Sequence, residues 1–397
     1  MKPSTGPEKL RLTSPEPPRF AAPAARRGRG RPGKPRADRP RLISLFAGCG
    51  GLDLGFGQAG FKTAWANDFD FHAQSVYSLN LGEIDTRDIR DVPASEIPDG
   101  EVLAAGFPCQ PFSNAGNRGG VRDSRGLLYK ECLRIIDAKS PAAILFENVR
   151  GLLSMRDSSG GLLADAIEAD LATVGSGGYR VSRALVNAAD YGVPQNRYRV
   201  FFVGIRKDLG VSFEFPPKTE EPGRRLRDVL DVPPSAPNQA HWPLGPQSQL
   251  MAESIPEGGS WKDVPDVKLP ARLLKIRNDM RRYHSPNFYR RFHRDEICGT
   301  ITAAAQPENC GIIHPTENRR FSVREIARIQ TFPDDFLFLE ANGRDLAAMY
   351  KVIGNAVPVR LARRLAAALL EQAFGMEAVP EPRARLYARP RKARRRA

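Results

Sequence analysis

The stretch "RLISLFAGCGGLDLGF", Arg41 to Phe56, decides the fold. Its first six residues form an apolar run that reads as a buried strand. A turn containing Gly48, Gly50 and Gly51 follows, and "LDLGF" continues as a helix. A strand, a glycine-rich turn and a helix let backbone amides approach an anionic or polar ligand at the helix N-terminus. Asp53 stands where the dinucleotide fingerprint wants a third glycine, so the turn is not that fingerprint. Taken alone, a tight turn with no ligand explains it equally well.

Outward from this stretch the same alternation repeats. "KTAWAN" (62–67), "EVLAAG" (101–106), "AAILFEN" (142–148), "SRALVN" (182–187) and "RVFFVGI" (199–205) read as further strands. Helical patterns such as "GLLYKECLRIIDA" (126–138) and "GLLADAIEADLATVG" (161–175) lie between them. Buried runs alternating with helices predict an α/β domain, a mostly parallel sheet with helices on both faces. From residue 206 to 318 the pattern breaks down into Pro- and Gly-rich polar stretches, which predicts a small, irregular inserted domain. Helical segments around 322–332 and 357–374 then complete the α/β domain, which spans 41–205 and 319–376.

The chain has 397 residues and a net charge of +15, unevenly placed. Residues 1–41 carry +9 and residues 377–397 carry +6, so the body between them is formally neutral. Residues 1–40 and 377–397 read as disordered basic tails. "RGRGRPGK" (27–34) resembles an AT-hook, although a solvated tail with phosphate affinity is the plainer reading. No apolar run is long enough to span a bilayer and no signal-peptide pattern opens the chain, so a soluble intracellular protein is expected. Five cysteines at 49, 109, 132, 298 and 310 include no CxxC pair. That fits neither a disulfide framework nor a zinc site, and no metal is expected.

The second strand ends in Asp68 and Phe69, a carboxylate able to accept from ribose hydroxyls beside a ring able to stack on a purine. "DTRDIRDV" then offers Asp88, read as a third strand-end acid that could accept from the exocyclic amine of adenine. An adenosine ligand follows, with NAD and S-adenosylmethionine both open. Cys109 comes just after the run 101–106, and Glu147 closes the run 142–148. A carboxylate at the end of an apolar strand should have a raised pKa. Separately, a packed thiol and a salt-bridged acid would explain these two residues; beside an adenosine site they read as a nucleophile and an acid.

"FAGCGG", "GFPCQPFS", "FENVRG", "QNRYR" (195–199), "VREIARIQTFPDDF" and "GNAVP" (354–358) occur here in the order seen in the C5-cytosine DNA methyltransferases, which the chain resembles over roughly 41–205 and 319–375. The closest resemblance is to the bacterial methylases of type II restriction-modification systems. It implies a class I S-adenosylmethionine-dependent methyltransferase, Rossmann-like, with the irregular region 206–318 as target-recognition domain. It implies that Cys109 adds to carbon 6 of a flipped-out cytosine, that Glu147 protonates or hydrogen-bonds ring nitrogen 3, and that Arg199 binds the base carbonyl while Arg197 supports the catalytic loop. Phe46, Gly48, Gly50 and Gly51 would line the cofactor, Asp68 would take the ribose, Phe69 the adenine face, and Asp88 with Ile89 the adenine edge. Asn355 and Ala356 would return near the methionine end. Asp68 stands where many relatives have glutamate.

The polar loop 110–126 reads as a flap, with Gln110 and Ser113 facing DNA, and Thr302 in "GTITA" is expected on a backbone phosphate. Arg272, Lys275, Arg277, Arg281, Arg282, Arg290, Arg291 and Arg294 make the insertion basic, which suits phosphates and guanines. The partner implied is double-stranded DNA, approached by a monomer in the bacterial cytoplasm at the nucleoid. A restriction endonuclease cutting the same site would be its companion. Three other readings stay open on the sequence: an RNA cytosine-5 methyltransferase, a non-catalytic DNA-binding regulator of the same fold, and an NAD enzyme disfavoured by the missing glycine.

Overall fold

The structure is a computed structural model that describes residues 39–108, 128–157, 159–219, 224–279, 287–308, 310–339 and 343–381. Six strands, β1 (Arg41–Leu45), β2 (Lys62–Asn67), β3 (Val102–Ala105), β4 (Ala143–Val149), β5 (Tyr179–Asn187) and β6 (Tyr198–Arg206), form one sheet in the order β2-β1-β3-β4-β6-β5. β1 to β4 run parallel, whereas β6 is antiparallel to both β4 and β5. The expectation of a mostly parallel sheet thus holds for four strands and gives way at the far end. Its cause is the connection between β5 and β6, residues 188–197, which is too short for a crossover and joins them as a hairpin.

Helix α1 (Gly51–Ala59) follows β1, α2 (Phe71–Asn80) follows β2, α3 (Leu128–Lys139) precedes β4 and α4 (Leu163–Thr173) precedes β5. The short α5 (Leu226–Val229), α6 (Pro246–Ser254) and α7 (Ala271–Asn278) punctuate the irregular region, and α8 (Val323–Ile329), α9 (Gly343–Asn355) and α10 (Val359–Phe374) close the chain.

Strand residues alternate between two cores because successive side chains point to opposite faces. Leu42, Val102, Ala104 and Leu145 pack with Phe56 of α1 and with Leu361, Leu365 and Leu369 of α10. Ile43, Leu103, Ile144 and Phe146 pack on the other face with Ile135 and Ile136 of α3 and with Ile167 and Leu171 of α4. Each such buried aliphatic side chain contributes roughly 1.5–3 kcal/mol. A third core joins Val76 of α2 to Ile301, Phe321 and residues of α8 and α9. A fourth, with Met251, Trp261, Leu273, Tyr289 and Ile313, lies wholly within the irregular region.

This topology has a consequence for binding. β1 connects outward to β2 on one side while β3 and β4 lie on the other, so the C-terminal ends of β1 and β3 flank a topological switch point, where open α/β sheets take their ligands.

Candidate active site

At the end of β1 the backbone leaves the sheet abruptly, with φ 54° at Phe46 and 59° at Gly48. The Gly48 N–H donates to Asp68 Oδ2 at 2.8 Å, and Asp68 Oδ1 accepts from the Asp70 N–H at 2.8 Å. Asp68 therefore clamps the turn to the end of β2. Burial raises its pKa against these two bonds, and each oxygen keeps a further lone pair. Space beside Gly48 is open, with no atom within 4 Å of where a Cβ would stand. Gly51 is the opposite case: a Cβ there would lie 2.5 Å from the Val357 carbonyl oxygen and 3.3 Å from Ala356 Cβ. Only glycine lets the "GNAVP" segment approach, which brings Ala356 against the turn, with exposed Asn355 one residue before it.

Asp53, noted above only as the residue replacing a glycine, underlies this turn. It is 2% exposed and accepts from Ser44 Oγ at 2.8 Å and from the Tyr77 hydroxyl at 2.9 Å. Burial pushes its pKa from 3.8 up to about 6, with the two hydroxyls pulling the other way.

The adenine side differs in part from expectation. Phe69 is 60% exposed and free to stack. Asp88 ends no strand: the segment before it makes a single parallel bridge, Asn67 with Asp85, and Asp88 caps a short 3-10 turn. Its carboxylate is held by the guanidinium of Arg90, at 2.9 and 2.5 Å, which lowers its pKa. Ile89 is buried in the core between the sheet and α3, so it offers a ligand its backbone and not its side chain.

Glu147 sits near the end of β4, and Arg199 pairs with it from β6. Arg199 Nε lies 2.9 Å from Glu147 Oε1, with both side chains largely buried. Burial pushes the Glu147 carboxyl above its ordinary pKa, with Arg199 and then Arg197 pulling it down. Arg197 is fully buried and donates to the Ile301 carbonyl at 3.0 Å and the Gly354 carbonyl at 2.7 Å. It ties β6 to both "GTITA" and "GNAVP". Thr302, beside this tie, accepts from the Ala305 N–H through its hydroxyl at 3.3 Å. Among the described residues of this site, Glu147 Oε1, Gln195 Nε2 and Arg197 Nε are buried without a well-angled hydrogen-bond partner.

Cys109, Gln110 and Ser113 lie outside the described residues, as do the flap, Arg281, Arg282 and residues 1–38 and 382–397 of the basic tails. Residues 377–381, expected as disordered tail, are instead tied to the domain: the Val379 N–H donates to the Ala59 carbonyl at 3.0 Å, and the Arg363 guanidinium donates to the Val379 carbonyl at 2.7 Å. The chain leading to Cys109 is described. Asn148 Nδ2 donates to the Phe107 carbonyl at 3.0 Å, fixing the backbone two residues before the cysteine. A Cβ on Gly106 would stand 3.5 Å from Glu147 Oε2 and 3.9 Å from the Phe46 carbonyl. The glycine turn, the approach to Cys109 and the Glu147 carboxylate thus meet at one point. Asn148 and the buried amide of Gln195 had no role assigned from sequence. Their signal was an amide beside a charged motif residue, which does not reveal its partner.

The basic insertion is also revised. Arg277 pairs with Asp266, Arg290 with Glu296 and Arg294 with Glu257, while buried Arg291 donates to the Ala252 carbonyl and to Asn318. These four hold the region together, and of the eight cations named from sequence the described Arg272 and Lys275 are exposed on α7.

A glycine turn, a carboxylate closing the second strand and a parallel sheet continued by an antiparallel hairpin define a class I S-adenosylmethionine-dependent methyltransferase. Residues 40–371 match the family profile described as C-5 cytosine-specific DNA methylase. The chain belongs to that family. It is 37% identical over 347 residues to the type II methyltransferase M.NgoFVII of Neisseria gonorrhoeae, covering 84% of this chain and 87% of that one. It is 35% identical over 356 residues to the type II methyltransferase M.FnuDI of Fusobacterium nucleatum, covering 83% and 94%. Among solved structures it resembles a putative DNA modification methyltransferase encoded within an Escherichia coli prophage, with a TM-score of 0.60, 25% identity and 84% and 99% coverage. The protein is a DNA (cytosine-5)-methyltransferase that uses S-adenosylmethionine, and the NAD alternative falls away. No helix among the described residues is long and apolar enough to cross a membrane.

Proposed function

We propose that Cys109 is the nucleophile, Glu147 the acid and Arg199 the base-binding cation of this methyltransferase, acting on one cytosine of a specific duplex site. The observation that carries this reading is the meeting at Gly106 of the Phe46 turn, the strand leading to Cys109 and Glu147. Carbon 5 of cytosine is a poor nucleophile; thiolate addition at carbon 6 makes the ring enamine-like and sends charge toward nitrogen 3. Glu147, its pKa raised by burial, can donate a proton or hydrogen bond there. Arg199 stabilises the charge on the base carbonyl, and Arg197 holds the two segments behind it in place. The site's open space at Gly48, the exposed Phe69 ring and the spare lone pairs of Asp68 fit an adenosyl group. Phe46, Gly48, Gly50, Gly51, Asp68, Phe69, Asp88, the Ile89 backbone, Asn355 and Ala356 would hold S-adenosylmethionine, which supplies an electrophilic methyl. Loss of the carbon 5 proton then lets the thiolate leave.

Residues 206–318 serve as the target-recognition domain in this reading, supported by their separate core. Gln110, Ser113 and Thr302 would contact the DNA. In this reading the protein acts as a monomer at the nucleoid in the cytoplasm and protects its site from a companion restriction endonuclease; the relatives are named type II methyltransferases. The test is methyl transfer from labelled S-adenosylmethionine to unmethylated plasmid by wild type and Cys109→Ser, with modified bases mapped. Label on cytosine carbon 5, absent with the variant, is the expected result. An unlabelled plasmid with wild type, or label with Cys109→Ser, would overturn the assignment.

A further inference from the structure

The last residue pair between β4 and β6 joins Val149 to Arg199. Continuing that antiparallel register one step sets Arg150 opposite Tyr198, and the Arg150 guanidinium carbon lies 5.8 Å from the centre of the Tyr198 ring. Both residues are exposed, Tyr198 by 41%, as is Val149 next to Arg150. The pair stands one step beyond Val149–Arg199 in the ladder, at the same end of the sheet as the Glu147–Arg199 ion pair.

Several other arginines of the α/β domain are paired with carboxylates. Arg87 reaches Asp85 at 2.7 Å, Arg90 reaches Asp88 at 2.5 Å, Arg134 reaches Glu131 at 2.7 Å and Arg206 reaches Asp208 at 2.8 Å. Among the described residues Arg150 has no carboxylate partner; its one contact of this kind is the tyrosine ring. This leaves a fixed positive charge at the C-terminal end of β4. An exposed ring beneath a guanidinium restricts its motion through cation–π attraction without neutralising it.

We propose that Arg150 contacts a backbone phosphate of the strand carrying the target cytosine, and that Tyr198 is a positioning residue that holds the guanidinium for that contact. The inference rests on the DNA methyltransferase reading and adds to it a contact on the strand being modified. A phosphate contact positions a strand and carries no sequence information, so its loss should weaken binding to any duplex.

The experiment titrates sheared unmethylated plasmid DNA against full-length wild type, Arg150→Gln, Arg150→Lys, Tyr198→Phe, Tyr198→Ala and the Arg150→Gln/Tyr198→Ala double variant, over a range of salt. One phosphate contact contributes about 0.9 to the slope of log affinity against log salt. Arg150→Gln should shrink the slope by that amount, and Arg150→Lys should keep it. Tyr198→Ala should weaken binding roughly threefold, Tyr198→Phe should not, and the double variant should bind no worse than Arg150→Gln alone. A merely structural role would not move the salt slope. An unchanged slope in Arg150→Gln, with wild type binding normally, would overturn this inference alone. Failure of wild type to bind DNA would instead overturn the reading beneath it.

Discussion

Replacing Asp53 by asparagine should flatten a pH dependence that a single buried carboxyl imposes on this protein. Asp53 is 2% exposed beneath the glycine turn, and burial raises its pKa from 3.8 to about 6. A group whose folded pKa is raised gives stability that is fully present below the unfolded value and lost as pH rises through the folded one. From those two values the folded state loses about 3 kcal/mol of relative stability between pH 3 and pH 7.5, of which about 1.4 kcal/mol falls between pH 5 and pH 7.5. Asparagine cannot titrate. Its amide can keep the Tyr77 bond, and the Ser44 hydroxyl can turn to accept, so any fixed offset is independent of pH. Urea unfolding followed by tryptophan fluorescence at several pH values gives the difference between variant and wild type. That difference should move in favour of Asp53→Asn by about 1.4 kcal/mol from pH 5 to pH 7.5. A difference that stays constant with pH would show that Asp53 is not held as a buried, hydroxyl-bonded carboxyl, and would refute the reasoning.

Arg199→Ala removes the charge facing the base carbonyl and leaves Glu147 buried beside Arg197; single-turnover methyl transfer should fall by roughly 10²–10³-fold. Glu147→Gln should lower kcat by roughly 10²–10⁴-fold. The wild-type rate should decline as pH rises through the raised Glu147 pKa, and that alkaline limb should be missing from the residual rate of the variant. Asn148→Ala frees the Phe107 carbonyl, and should cost about 1–3 kcal/mol of stability in thermal unfolding while lowering kcat more than the affinity for cofactor. Gly51→Ala drives a methyl group into the Val357 carbonyl; about 1–3 kcal/mol of destabilisation and weaker S-adenosylmethionine binding by calorimetry are expected.

The central strands β1, β3, β4 and β6 were legible because buried strands in an α/β sheet are near-continuous apolar runs, and all six, the partly exposed edge strands β2 and β5 included, fall within a few residues of the runs quoted. Their direction was less so. Nothing in "RVFFVGI" says which way it runs; the length of the preceding connection does. Candidate site residues were named wherever a motif fixed residue type, as with Asp68, Glu147 and Arg199, and the fold brings Glu147 and Arg199 into an ion pair. Partners were not readable, because they are set by chain segments far away in sequence. Asp88 turned out to be occupied by Arg90, Ile89 to be core, and four insertion arginines to be spent on internal carboxylates and carbonyls. Arg197 grips Ile301 and Gly354, more than a hundred residues away, partners that its motif does not name. Asp53 looked like a defect in a glycine pattern, and proved to be a buried anchor for the turn.

The central claim is that Cys109 bonds to cytosine carbon 6 before the base is released by loss of the carbon 5 proton. Fluorine at carbon 5 cannot be lost as a proton is, so a plasmid copied with 5-fluorodeoxycytidine should trap the enzyme on its substrate once methyl transfer has occurred. Digestion and mass spectrometry of the trapped protein should find the modified nucleotide on the peptide containing Cys109, and on none containing Cys49, Cys132, Cys298 or Cys310, all four of which are buried. Absence of an adduct in the presence of S-adenosylmethionine, or an adduct on any other residue, would contradict the account.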